Sequence, residues 1–361
     1  MAWVKKIETD RQRRIVVAII MAVLFAASVG AAAWVTVARN PGLEPTQAGS
    51  FHLLRPSDWQ EVSADIEPTE LVREIAGWRE PEGVGGAGRR LGLLELRHDS
   101  PIPPAAAMEV VMNRGNNGSG QYGARAAVRS QLMTGLLAER AGVRDDGQPL
   151  SQLLAVMTLD GYRHAVLVLE REGDLRASDW RLMVQMSASL ADTRYQPLPT
   201  APLQRTGEVV HVTPPDGLAA VERRNSDEDD AQAPAPLLLI PTAEAEFYVL
   251  EPSLIALEPM PEDRPAEDTD DDERLLTALA RRYNQLSGEV PAIGSVRRLE
   301  IGPRKAYRIG LPNEGTGSGS ILWAVHVEPD TVLLMQVTAS RVSIDEAEAA
   351  ARRFVAAYEP V

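Results

Sequence analysis

The run from Ile15 to Ala38, IVVAIIMAVLFAASVGAAAWVTVA, passes through 24 positions without a charge. A helix rises about 1.5 Å per residue, so a run of this length spans the roughly 30 Å hydrocarbon core of a bilayer. It exceeds the h-region of a cleaved signal peptide, about 7 to 15 residues. It is apolar on every face, unlike a helix lying on a soluble core. Cleavage at the small residues Ala31-Ala32-Ala33 or Thr36-Val37-Ala38 is the competing reading. Upstream, Lys5, Lys6, Arg11, Arg13 and Arg14 stand against Glu8 and Asp10, a net +3, whereas Arg39 is the cation close downstream. That asymmetry predicts a cytoplasmic tail over residues 1–14, a single transmembrane helix over 15–38 whose partner is membrane lipid, and an extracytoplasmic remainder. Trp34 sits where its ring and N–H are both accommodated at the headgroup level.

The formal charge is -14, so residues 15–361 carry -17 once the +3 tail is set apart. A body this acidic lacks the basic footprint that displaces counterions from phosphates, which argues against a nucleic-acid partner. The absence of cysteine excludes disulfides, Cys-ligated zinc, iron–sulfur clusters and thiol nucleophiles. Three lysines, Lys5, Lys6 and Lys305, against 34 arginines indicate a GC-rich bacterial genome, which makes the compartment a bacterial envelope and the membrane the inner one. The 361 residues, 44% hydrophobic, suffice for two domains with packed cores.

Residues 39–49, RNPGLEPTQAG, read as a stalk, and three prolines between Tyr195 and Gly207 read as a break that denies ladder bonding. The expected domains are therefore 50–198 and 207–361, with a linker at 199–206. The two halves resemble one another. Phe51 to Val62 aligns without gaps on Val210 to Val221, each a strand ended by proline, a turn, and a re-entering apolar residue, Trp59 or Leu218. Strands are expected at Leu91–His98 and Met108–Asn113 in the first half, and at Leu237–Ile240, Ala245–Glu251 and Leu254–Glu258 in the second. Helices are expected over Ala124–Ala141 and Asp272–Ser287, closed by Gly142 and Gly288. Strands leading from Arg163 to Gly173 and from Arg304 to Gly315 follow. Leu182–Ser189 and Leu334–Ser340 match as closing strands. Ser343 to Tyr358 reads as a final helix with Ser343 and Glu346 at capping-box spacing and Ile344, Ala347, Ala351, Phe354, Val355 and Tyr358 facing a core. No counterpart to that helix is visible in the first half.

Strands joined by tight turns, with helices at fixed points, predict an α+β fold: an N-terminal transmembrane helix, then two similar antiparallel-sheet domains covered by helices. The opening strand, proline, turn and Trp from Phe51 to Trp59, the mid-domain helix, the long strands and the final amphipathic helix resemble the PsbP/Mog1-type fold in both halves. Members of that fold are mostly non-enzymatic binding or assembly factors, so the resemblance implies interaction and supplies no catalytic residues.

The search for chemistry singles out no catalytic, cofactor-binding or metal-binding residue. His52 and His211 occupy equivalent repeat positions, best explained as strand residues inherited by duplication. His98, Asp99 and Ser100 are adjacent on a strand and point to alternate faces, so they form no relay. Asp268, Asp270 and Asp272 alternate as in a calcium loop, but Glu273 stands where the turn needs glycine and Leu279 where the bidentate Glu belongs. The glycine-rich runs 83–88 and 115–120 end in no phosphate-loop lysine. Asn117-Gly118-Ser119 fits a glycosylation sequon. The expected function is thus a membrane-anchored extracytoplasmic interaction or assembly module with an envelope protein as partner and no cofactor. An envelope hydrolase or a small-ligand-binding protein with a site between the domains is the alternative, and 14 cytoplasmic residues are too few for a sensor's output domain.

Overall fold

The structure, a computed structural model, describes residues 42–62, 71–81, 88–98, 101–114, 122–143, 149–205, 208–224, 237–243, 247–256, 271–292, 294–312 and 318–359. The expected transmembrane helix 15–38 and its tail lie outside them. Among the described residues no helix is long and apolar enough to cross a membrane. Residues 42–44 with 55–59 form a small compact unit, in which the Ser57 N–H donates to the Gly42 carbonyl (2.8 Å) and Arg55 pairs with Glu44 (2.6 Å). The other described residues form the second unit, which contains both large sheets.

The first half comprises β1 (Leu43–Ala48), β2 (Phe51–Pro56), β3 (Gln60–Val62), β4 (Val72–Arg79), β5 (Arg89–Arg97), helix α1 (Pro104–Arg114), β6 (Tyr122–Arg129), β7 (Thr134–Val143), β8 (Pro149–Thr158), β9 (Arg163–Glu172) and helix α2 (Ala177–Ser189). The short β10 (Ala191–Asp192) pairs with β2. The second half comprises β11 (Tyr195–Leu198), β12 (Ala201–Arg205), β13 (Glu208–Val212), β14 (Leu218–Arg223), β15 (Leu237–Pro241), β16 (Tyr248–Ala256), helix α3 (Asp271–Ser287), β17 (Arg297–Ile301), β18 (Arg304–Gly310), β19 (Ser318–Glu328), β20 (Thr331–Ser340) and helix α4 (Ile344–Ala356). The seven-stranded sheet runs β3-β4-β5-β9-β8-β7-β6, and the eight-stranded one runs β11-β14-β15-β16-β20-β19-β18-β17. With β11 set aside, the two orders match strand for strand. Helices α1 and α3 are inserted at the same point of each, and α2 and α4 close each.

Each sheet is covered on both faces. In the first half α1 lays Ala107, Met108 and Met112 against Leu94, Leu96, Leu154, Val156 and Val166. In the second, α3 lays Leu275, Leu279 and Tyr283 on Tyr307, Ile309, Leu322 and Leu334. The opposite face of the second sheet meets Ala347, Ala351, Phe354, Val355 and Tyr358, with Ile344 half-buried at the edge of that cluster. This is the face the final helix was expected to bury.

The expected elements of the first half are partly exchanged. Residues 124–141 form the hairpin β6–β7, in register from Arg129↔Thr134 to Arg125↔Ala138, instead of a helix. Alanine and leucine favour a helix locally, but Gly135 penalises one. A Cβ at Gly135 would stand 2.2 Å from the Val156 carbonyl oxygen, so strand-to-strand approach requires glycine there. Gly142, expected as a helix cap, lies within β7. Met108–Asn113 belongs to α1, begun by Pro104 at the first helical position, where a missing N–H costs nothing. Leu182–Ser189 belongs to α2, whose buried Asp179, Leu182, Met183, Met186 and Ser187 fall at helical spacing. The likeness of Leu182–Ser189 to Leu334–Ser340 therefore joins a helix to a strand, and the missing counterpart of α4 is α2.

Three further segments differ from expectation. Within the stalk, 43–48 is strand β1. The proline-rich break forms β11 and β12, because Pro197 lies in the edge strand of its sheet and Pro202 in a two-stranded pair, where one side needs no donor. Ser343 makes no side-chain cap. Its hydroxyl donates instead to the Phe247 carbonyl (2.9 Å), so the capping box does not form. In contrast, Gly288 closes α3 as expected, with φ +70° and its N–H donating to Asn284.

Candidate functional site

The turn between β8 and β9 organises the junction of the two halves. Thr158 Oγ1 accepts the Gly161 N–H (3.2 Å), and Asp160 Oδ1 accepts the N–H groups of Tyr162 (3.0 Å) and Arg163 (3.2 Å). Gly161 takes φ +81°, and a Cβ there would lie 2.9 Å from Phe247 Cζ and 3.0 Å from Pro101 Cβ. Glycine is thus required by the backbone and by the approach of the second half. The other oxygen of Asp160 accepts the Tyr195 hydroxyl and faces Arg223 Nη1 at 3.5 Å. Tyr195 on β11 and Arg223 on β14 are cross-strand partners. Arg129 Nη2 donates to the Pro241 carbonyl (2.6 Å) and Ser318 Oγ to that of Pro101 (2.8 Å), closing the same junction elsewhere.

Near this turn, Glu251 is buried on β16, opposite Gln336 of β20. Pro252 follows it and has no N–H. Because β16 stays paired with β20 through Pro252, the missing donor faces β15, and among the described residues β15 pairs with β16 only at Leu239↔Leu250. Where these strands part, a cavity of about 230 Å³ is lined by Glu251, Ser253, Arg282 of α3, Leu322, Leu334 and Gln336, among others. Burial, and after it the charge of Asp160, push the Glu251 carboxyl up to about 7, against the opposing pull of Arg282 and Arg223. Burial, then Glu251 and Asp160, also raise the Tyr162 hydroxyl. Among the described residues no hydrogen bond or ion pair holds Glu251.

A carboxyl that titrates near neutrality in a largely apolar chamber can receive or release a proton and can bind a polar head group. Two-carboxylate hydrolysis needs a second free acid. Asp160 is committed to Tyr195, Arg223 and two backbone N–H groups. A second, more polar cavity of about 420 Å³ in the first half is lined by Ser50, Arg73, Glu74, Glu95, Arg97 and Arg194, among others. There Arg194 Nη1 donates to Glu95 (2.7 Å) and its Nε to Asp192 (2.9 Å). Although burial works to raise it, Glu95 is held below its ordinary range by Arg194. Arg194, Glu95 and Asp192 satisfy one another, and Arg97 also pairs with Glu95 (3.3 Å).

The histidines stand apart from both cavities. His52 and His211 are exposed, and His211 Nδ1 lies 3.0 Å from Thr200 Oγ1. His164 is fully buried on β9, and burial drives it down to about 4. The Gly161 backbone acts on its charge, but neither ring nitrogen meets an aligned hydrogen-bond partner. His98 is described; Asp99 and Ser100 are not, nor are Asp268, Asp270, the sequon or most of the two glycine runs. Asp272 pairs with Lys305 (3.3 Å) and Arg298 (3.5 Å) at the start of α3. The sequence singled out none of Asp160, Tyr195, Arg223, Glu251 or Arg282. The one local signal was Glu251-Pro252 interrupting the apolar run FYVLEPSLIA, which split a single strand into two expected ones.

No family model and no curated protein matches the chain. Among solved structures it is similar to the Ran-binding protein Mog1p of Saccharomyces cerevisiae, with 11% identity, over 43% of this chain and 97% of that one, at a TM-score of 0.31. It is also similar to a protein of Bacteroides thetaiotaomicron (14% identity, 44% of this chain, 52% of that one, TM-score 0.27). A third is LpqN of Mycobacterium tuberculosis, described as involved in cell envelope biogenesis (16%, 42% and 90%, TM-score 0.27). The resemblance to the Mog1-type fold expected from the residues is present, over about the length of one half.

Proposed function

We propose that this is a single-pass protein of a bacterial inner membrane whose acidic, extracytoplasmic body is a non-catalytic binding module for an envelope protein. The uncharged run 15–38, with a +3 flank before it and a -17 chain from residue 15 onward, carries the reading. The junction supports it: a glycine-only turn and the buried Asp160–Tyr195–Arg223 cluster join the two like halves into one fixed body, and a tether raises its effective concentration for a partner at the membrane. The first domain is proposed near 50–194 and the second near 195–361, because β11 pairs with β14 and β12 with β13 of the second half. Alkaline phosphatase fused after Gly49 should be active outside the cytoplasm, carbonate should leave the intact chain in the membrane pellet, and crosslinking in native membranes should capture an envelope protein. A reporter active only inside, or release by carbonate, overturns the topology. A hydrolytic activity abolished by one alanine substitution, with no partner captured, overturns the role. A second reading, a small-ligand-binding protein, is favoured by Glu251 in its cavity, which no hydrogen bond or ion pair holds among the described residues.

A further inference from the structure

We infer that the cavity beside Glu251 binds a small apolar zwitterion, an aliphatic α-amino acid in size and charge; this rests on the ligand-binding reading. Glu251 and Arg282 both line the chamber, yet no ion pair joins them among the described residues. The hydrogen bond Arg282 makes is to Gln285 on its own helix, at 3.4 Å. A buried carboxyl and a half-buried guanidinium on one lining, not paired with each other, are complementary to a molecule bearing both an ammonium and a carboxylate. The ammonium meets Glu251, with the Gln336 amide opposite it in the ladder, and the carboxylate meets Arg282. Leu322, Leu334 and Ile255 offer the apolar wall for a branched side chain. The volume of about 230 Å³ lies below the roughly 300–1,000 Å³ of drug-sized sites, which fits a small metabolite. The first half does not repeat the site: its corresponding cross-strand pair is Gly92↔Val168.

The test is calorimetric titration of the full-length chain in nanodiscs with L-leucine, 3-methylbutylamine and 4-methylpentanoate, which share a branched alkyl group and carry both charges, the ammonium alone and the carboxylate alone. Leucine should bind saturably and more tightly than either single-charge analogue. Glu251→Gln, which keeps the side-chain shape, should weaken leucine and the amine about tenfold or more. Arg282→Gln should weaken leucine and the acid while sparing the amine. Amine or acid binding as tightly as leucine overturns the zwitterion assignment and leaves a ligand site. Leucine binding unchanged by both substitutions places the site elsewhere and overturns the inference. Failure of all three probes to bind overturns the inference and the ligand-binding reading together.

Discussion

The two halves thread seven strands in one order but treat equivalent cross-strand positions differently. Where the first sheet has Gly92 facing Val168, the second has Glu251 facing Gln336. Where the first has His164 facing Leu96, the second has Val332 facing Ile255. The closing helices diverge too. Helix α2 is anchored by Asp179, fully buried, which accepts from Arg171 (3.0 Å), from Arg89 (3.2 Å) and from the Arg176 N–H (2.8 Å). Helix α4 relies on Phe354, Val355 and its alanines, with Arg304 donating to the Tyr358 carbonyl at 2.8 Å. Strand order follows from apolar alternation and turns, which both halves share. The polar burials are decided by what each sheet face must meet.

The largest expected effect tests the anchors. Asp179→Ala leaves the buried Arg171 without its carboxylate, while Arg89 keeps Glu80 (2.6 Å), and should cost about 3–5 kcal/mol in urea unfolding. Phe354→Ala in the second half should cost a similar amount through a cavity, without the salt dependence of the first. Equal salt dependence in both would erase the distinction.

The next effect, about 3 kcal/mol, separates the halves by pH. The Glu251 carboxyl is raised to about 7 from its ordinary 4.5, so the folded state holds a proton that the unfolded chain loses, and stability falls as pH rises from 4.5 to 7. Glu251→Gln should therefore match the native chain at pH 4 and exceed it at pH 8. His164, lowered to about 4 from 6.5, acts in the other sense: its contribution is complete above 6.5 and is lost as pH falls toward 4. Unfolding curves across pH 4–8 should show the two slopes opposing between 4.5 and 6.5. A Glu251→Gln chain whose pH profile parallels the native one would remove the assigned burial.

Gly161→Ala acts on the junction itself and should cost about 1–3 kcal/mol through left-handed strain and overlap with Phe247. It should also split a single unfolding transition into two, one for each half. The smallest expected effect is at the counterpart of Glu251. Gly92 has no neighbour within 4 Å of a built Cβ, so Gly92→Ala should stabilise by about 0.5–1 kcal/mol. A loss there would mean that the first sheet face is closed.

Local signals were legible in the residues. Strand β2, Pro56 and the buried Trp59 read directly, as did β13 with Leu218, the amphipathic α3, and α4 with its Ala347–Phe354 stripe. Each is defined by periodicity and punctuation within about fifteen residues. The exchange of helix and hairpin in the first half was not legible in that way. Residues 124–141 satisfy a helical spacing of Leu132, Leu136 and Leu137, and only the Val156 carbonyl, across the β7–β8 ladder, makes Gly135 a strand residue.

What the sequence by itself determined is therefore the duplication, the α+β alternation, the charge asymmetry and the candidate membrane span, all properties of neighbours along the chain. Only the tertiary structure decided the strand order, the place of α2 and the meeting of Asp160, Tyr195, Arg223, Glu251 and Arg282. Burial and field at a carboxyl are set by groups from distant elements folded around it, and Glu251 carries no local mark of Asp160 some ninety residues before it.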